Sequence, residues 1–302
     1  MIIKFLCAAS VALLLVFAEE CRVEQHMKFQ KIEYFYPSME EAPQLLTIDA
    51  NGRARYESHS NEATPDYPEI GIFQTTLSGD DMESLRSLLT NPPFRDLPDH
   101  WGRVRPGEIY RRIRVAAGTE TVEKLVSERE PVDGKLQNVI NRLDQIIAQA
   151  MRHPVQTLHS ELSQVSADSA GAVTATLTLS NRGTENIWVR NPLSMSNAPD
   201  AHLSFQAWPD KPASDLRAED QVSAQVVKVE DIGRAKANAA EQAVIELPPR
   251  ATVSFRIHAS LPLRGAGAYL GRVEHTNGAA RLVDKSLFVG ELFSRPVRFD
   301  VQ

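Results

Sequence analysis

Between about Lys28 and Met151 the spacing of apolar positions changes several times. Lys31 to Tyr36 and Gln44 to Ile48 are strand-like, and Asp49-Ala50-Asn51-Gly52 is a hairpin turn leading into Arg53 to Glu57. A polar, proline-bearing loop from Ser58 to Pro68 precedes a further strand, Ile70 to Leu77. Ser78 with Asp81 three residues on reads as a capping box, and Met82, Leu85, Leu88 and Leu89 share one helical face. Asn91-Pro92-Pro93 ends that helix. After a loop through Pro106, Ile109 to Ala116 and Thr119 to Val126 form a second hairpin around Gly118. Leu136, Val139, Ile140, Leu143, Ile146 and Ile147 then make an amphipathic helix, the strongest periodic signal in the chain.

At His153-Pro154 the helical period stops, because the residue before proline is pushed out of the α region. Short alternating runs follow: Gln156 to Val165, Val173 to Leu179, Asn186 to Val189, His202 to Trp208 and Val222 to Val229. Ala243 to Leu247, Thr252 to His258, Ala268 to His275, Ser286 to Phe293 and Pro296 to Val301 complete the series. Ile232 to Gln242, rich in alanine and charge, fits a short helix or a loop. The expectation is an α+β domain at 19–152, a small antiparallel sheet with two helices, followed by an all-β immunoglobulin-like sandwich at 153–302.

Residues 1–18 read as a secretory signal. Lys4 supplies the positive charge, Phe5 to Phe17 is apolar but for Ser10, and Val16-Phe17-Ala18 offers a cleavage site. The run of about 13 residues is shorter than the ~18 to 20 that span a bilayer. Cleavage after Ala18 removes Lys4 and moves the net charge from -6 to -7. Mild acidity argues against nucleic acid or anionic lipid as the main partner. Of the two cysteines, Cys7 leaves with the signal, so Cys21 has no disulfide partner. A lipid anchor at Cys21 is disfavoured by Glu19 and Glu20, charged where such a signal needs small neutral residues. With no glycosylation sequon in the chain, these features point to a periplasmic or secreted protein with no integral membrane segment after processing.

No catalytic signature stands out. The eight histidines form no His-Glu-x-x-His or comparable metal motif, and no Gly-x-Ser-x-Gly elbow occurs. Gly265, Gly267 and Gly271 are one residue too widely spaced for a dinucleotide loop and lie among strands. No metal, cofactor or catalytic residue is assigned. The one concentrated charge feature is Arg103, Arg105, Arg111, Arg112 and Arg114, and strand geometry turns Arg112 and Arg114 to one face. With Phe94, His100 and Trp101 in the preceding loop, Arg103, Arg112 and Arg114 make the candidate partner-binding surface, since aromatics and arginine dominate binding hot spots. A solvated sheet face balanced by Glu108, Glu120 and Glu123 is the plainer alternative.

Over Gly71 to Ala148, "TLSGDDMESLRSLL", "PPFRDLP", "YRRIRVAAGTETVEKL" and "LQNVINRLDQII" follow one another in a pattern that resembles the emfourin-like family of bacterial proteins. The resemblance implies a non-catalytic inhibitor of thermolysin-like metalloproteases, and carries no inhibitory residue across. "LTLSNRGTENIWV" and "ELPPRATVSFRIHASLPLRGAGAYLGRV" look like an immunoglobulin-like sandwich, a generic binding scaffold. The expected function is an exported binding protein for a protein partner, inhibitor-like or of the immunity type. The alternative is an exported hydrolase or metal-dependent enzyme with a site assembled from dispersed residues.

Overall fold

The structure, a computed structural model, describes residues 29–36, 44–62, 67–90, 93–102, 110–127, 132, 134–232, 243–282 and 285–301. The expected signal segment, Cys21, Arg103 and residues 233–242 lie outside them. The first half runs β1 (Lys31–Tyr36), β2 (Gln44–Asp49), β3 (Arg53–Ser58), β4 (Glu69–Thr76), α1 (Gly79–Thr90), β5 (His100–Trp101), β6 (Tyr110–Ala117), β7 (Glu120–Ser127) and α2 (Gly134–Ala150). The second half begins with β8 (Pro154–Ala167), β9 (Ala172–Asn181), β10 (Ile187–Arg190), β11 (Ala201–Pro209), β12 (Val222–Gln225) and β13 (Lys228–Asp231). It continues with β14 (Val244–Leu247), β15 (Thr252–Ser260), β16 (Gly267–Asn277), β17 (Arg281–Leu282), β18 (Lys285–Ser286), β19 (Gly290–Phe293) and β20 (Val297–Val301).

Local chemistry places the first-half elements where the sequence puts them. Asp49 Oδ1 accepts from the amides of Asn51 and Arg53 at 2.8 and 2.9 Å, closing the β2–β3 turn with Gly52 at φ +80°. Ser78 Oγ accepts from the Asp81 amide at 3.1 Å while Asp81 Oδ2 accepts from the Ser78 amide at 3.2 Å, the reciprocal cap that starts α1. An Arg142–Asp81 ion pair ties α2 to α1. The two helices cover one face of the sheet, burying Leu85, Leu89, Leu136 and Leu143 against Tyr34, Leu46, Ile48, Phe73 and Ile113.

The expected separation into an α+β domain and a distinct immunoglobulin-like sandwich does not hold. The chain is mostly β, with two α-helices among the described residues, and sixteen strands share one hydrogen-bonded network. Pro154 does end the helical path, but β8 starts at that residue and pairs antiparallel with β4, from Phe73↔Pro154 to Glu69↔His159. Proline at the first position of a strand costs no ladder bond. The same β8 pairs on its other side with β9, so the sheet of the first half runs straight into the second. Ile70 of β4 belongs to the apolar cluster of the second half, together with Leu158, Leu177, Phe205 and Phe255.

The second half is sandwich-like: β8, β9, β15 and β13 lie in one layer, and β12, β11, β16, β19 and β20 in the other. Two expected strands are broken. Val222 to Val229 divides at Val226, 5 % exposed, and Val227, 71 % exposed; β12 then joins β11 while β13 joins β15. Ser286 to Phe293 divides at Leu287-Phe288-Val289, which leaves the ladder before β19 begins.

Candidate functional site

The open face of the first-half sheet, opposite the helices, carries one continuous row of side chains. Register places His100 beside Leu125, then Arg112, Phe35, Leu45, Glu57, Ile72 and Gln156 in sequence across seven strand pairings. Directly opposed residues share a face, so the row follows from pairing alone. The Arg112 guanidinium lies 3.9 Å from the centre of the Phe35 ring. Its Nε is buried with no hydrogen-bond partner among the described residues. One step along, Arg114 is held by Glu123 at 2.7 Å and by Glu33 at 3.4 Å. Hydrogen bonding from Lys31 and the neighbouring Arg114 charge hold the Glu33 carboxyl below the usual carboxylate range.

Parity divides the aromatic and arginine residues singled out by sequence. His100 is exposed on the open face with Arg112 and Arg114. Trp101, one residue on, turns to the helix side and packs partly buried against that core. Phe94 is fully buried and so offers no surface to a partner, which corrects its place in the expected site. The aromatic residues of that loop serve packing, because a 3-10 turn (Phe94–Asp96) tucks the first of them under β7.

Lys124 explains how the loop is held, and the sequence reading passed over it. Its side chain is wholly buried; Nζ donates to the carbonyls of Arg95 and Leu97 and lies 2.8 Å from Asp99 Oδ1. The hydrogen bond from Lys124 keeps the Asp99 carboxyl below its ordinary pKa. The signal was legible: Lys124 alternates with Val122 and Val126, so strand parity alone turns it inward. Lys124→Met is expected to cost about 2 kcal/mol, since two carbonyls lose their donor while exposed Asp99 regains water. Urea unfolding measures the loss, and protection of loop amides against hydrogen exchange should fall first. Unchanged stability and protection would contradict the anchoring role.

At its far end the row runs into a cleft of about 270 Å³ between the two halves. Ile72 and Glu57 line it from the sheet, Gln156 from β8, and Trp188, Phe288 and Val289 from the second half. Two close approaches build its floor. Gly71, at φ +133°, lets Phe288 pack over β4, and Gly290, at φ +142°, lets β19 run against the carbonyl of His59. That carbonyl accepts from the Glu291 amide at 2.8 Å, and His59 Nδ1 lies 3.2 Å from the carbonyl of Val289. No sequence signal pointed to this cleft, because it is assembled from separate segments spread from Glu57 to Val289.

Near the cleft, at the junction of the halves, Arg182 reaches Glu69 at 2.9 Å and His159 Nε2 at 2.7 Å. His159 Nδ1 is 3.5 Å from Glu69, yet burial and the Arg182 charge push the imidazole down to about 4, so the ring is neutral. Burial raises the Glu69 carboxyl against the pull of Arg182. A neutral imidazole clamped by a guanidinium ties the junction here, with Ser180 directly opposite it on β9. Among the described residues no group of three or more His, Cys, Asp or Glu side chains is placed to hold a metal ion. No described helix is long and apolar enough to cross a membrane.

No family model matches the sequence, and no curated protein matches it. Among the solved structures that match, two illustrate how limited the likeness is. A structure titled "AvmM Catalyzes Macrocyclization in Alchivemycin A Biosynthesis" matches at 14% identity and TM-score 0.26, covering 48% of this chain and 87% of that one. Escherichia coli alpha-2-macroglobulin activated by porcine elastase matches at 12% identity and TM-score 0.24, covering 67% of this chain and 12% of that one. Likeness at this level carries no functional argument.

Proposed function

We propose that this is an exported, non-catalytic binding protein that engages a protein partner through the open face of the first-half sheet, as an inhibitor or immunity-type protector. The observation that carries the reading is Arg112. Stacking on Phe35 holds its guanidinium in place, and it has no carboxylate partner among the described residues. A preorganised cation beside half-buried Leu125, Phe35 and Leu45 fits a partner that brings an acidic group into an apolar surround. The signal-like residues 1–18 support export, and the resemblance of Gly71 to Ala148 to emfourin-like inhibitors supports the inhibitor class.

Pull-down from the native extracellular or periplasmic fraction identifies the partner, and titration calorimetry then tests the surface. Arg112→Ala is expected to weaken binding about thirtyfold, a hot-spot loss of about 2 kcal/mol, with little change in thermal stability. Affinity unchanged in Arg112→Ala would place the interface elsewhere. Stoichiometric bound metal, or turnover of an ester or peptide substrate panel, would instead favour an exported hydrolase or metal-dependent enzyme.

A further inference from the structure

We propose that the cleft between the two halves is a binding site for a small organic amine with a ring-sized apolar body. This goes beyond the partner reading and does not depend on it. The cleft, of about 270 Å³, offers more room than the ~150 Å³ cavity that holds a benzene molecule, so a bicyclic aromatic ring fits. Its walls are apolar and aromatic: Ile72, Trp188 and Phe288. Aromatic faces favour an apolar ring and, at their edge, a cation.

Gln156 and Asn186 each spend an amide N–H on a carboxylate, Glu185 and Glu246, both at 2.7 Å, and the carboxylate that itself lines the cleft is Glu57. The carbonyl of Val289 can only accept, so His59 Nδ1 donates to it, and Nε2 is the ring nitrogen left facing the cleft. No described group bonds that Nε2, and it is not among the buried unpartnered atoms. Glu57 gives one carboxylate oxygen to Arg55 at 2.8 Å, in an exposed pair, and its other oxygen has no such bond. An ammonium has three donors and no acceptor. The Glu57 carboxylate at the rim and the rings in the walls therefore select an amine over the matching acid, whose own charge Glu57 repels. The cleft is also built rather than incidental. A Cβ on Gly71 would sit 2.4 Å from Phe288, and one on Gly290 would sit 2.1 Å from the His59 carbonyl oxygen, so the walls close only because both positions are glycine.

The test titrates the full chain at low ionic strength with tryptamine, with neutral 3-ethylindole and with indole-3-propionate, three probes sharing one ring system. Calorimetry should give one saturable site for tryptamine, binding at least tenfold tighter than indole-3-propionate, with 3-ethylindole between them. Glu57→Gln keeps the shape of the exposed side chain, and should bring tryptamine within about twofold of 3-ethylindole while leaving the melting temperature unchanged. Trp188→Leu should weaken all three probes together; a melt confirms that the variant is folded, and Ile72→Gln serves as the second apolar probe if it is not. Equal affinity for amine and acid, tryptamine preference surviving in Glu57→Gln, or no saturation by millimolar tryptamine would each overturn the proposal. Loss of the protein partner in Arg112→Ala would not touch it, so the two readings fail separately.

Discussion

Gly71→Ala is expected to cost the fold about 4 kcal/mol. Two penalties add. At φ +133° the backbone is in a region that residues with a side chain rarely adopt, a strain of roughly 1 to 3 kcal/mol. The new Cβ would also lie 2.1 Å from the carbonyl oxygen of Gln156 and 2.4 Å from Cζ of Phe288. A backbone oxygen cannot swing aside, so β4 and β8 must part, and the Phe288 ring must lift off β4. Gly118→Ala is the matched control: its φ of +63° is also positive, but nothing lies within 4 Å of the added carbon. It should cost only about 1 kcal/mol. Guanidinium unfolding of both variants decides the point. A loss for Gly71→Ala no larger than that of the control would mean that the β4–β8 junction is softer than its geometry requires.

Acid should weaken the fold well before its carboxylates titrate. His275, on β16, is fully buried between Leu203 of β11 and Leu292 of β19, and burial pushes its pKa down to about 4. A backbone bond to Arg190 opposes the shift, and the nearby His202 charge adds to it. In the unfolded chain the imidazole takes its proton near pH 6.5, while the native protein refuses it until about pH 4. The unfolded state therefore binds more protons across that window. Stability is complete above pH 6.5 and falls as pH drops toward 4, by about 3 kcal/mol from this residue. His159, also held down to about 4, acts in the same direction. Urea unfolding at several pH values should show the decline. His275→Gln, which cannot take the proton, should flatten it to the part due to His159. An identical slope in the variant would show that the native core admits the charge.

Much of the first half was legible in its residues. Asp49 to Gly52 bends as its side-chain chemistry demands, Ser78 and Asp81 cap α1 reciprocally, and the stripe from Leu136 to Ile147 lies on the sheet. Lys124 was legible too, through parity with Val122 and Val126. Arg112 and Arg114 share a face as alternation requires. The same alternation sends Trp101 to the opposite side from His100, and that side was unreadable because the pairing of so short a strand as β5 has no periodic signal. Phe94 carried no mark distinguishing a core aromatic from a contact aromatic.

His153-Pro154 shows where local signals stop. The proline determined that a helix ends and a strand can begin, since it fixes φ and removes one donor. It held no information on which edge the new strand would join. That depended on β4 having an unpaired edge within reach when β8 formed, on Gly71 letting Gln156 and Phe288 approach, and on Ile70 being apolar toward the second core. Periodicity, caps and turns act over a few residues, so the sequence by itself determined the elements and the faces they bury. Pairing between edges, the row from His100 to Gln156 and the cleft at its end join residues that meet only after long loops close. The tertiary structure decided those, because backbone edges are chemically alike and choose one another through the packing around them.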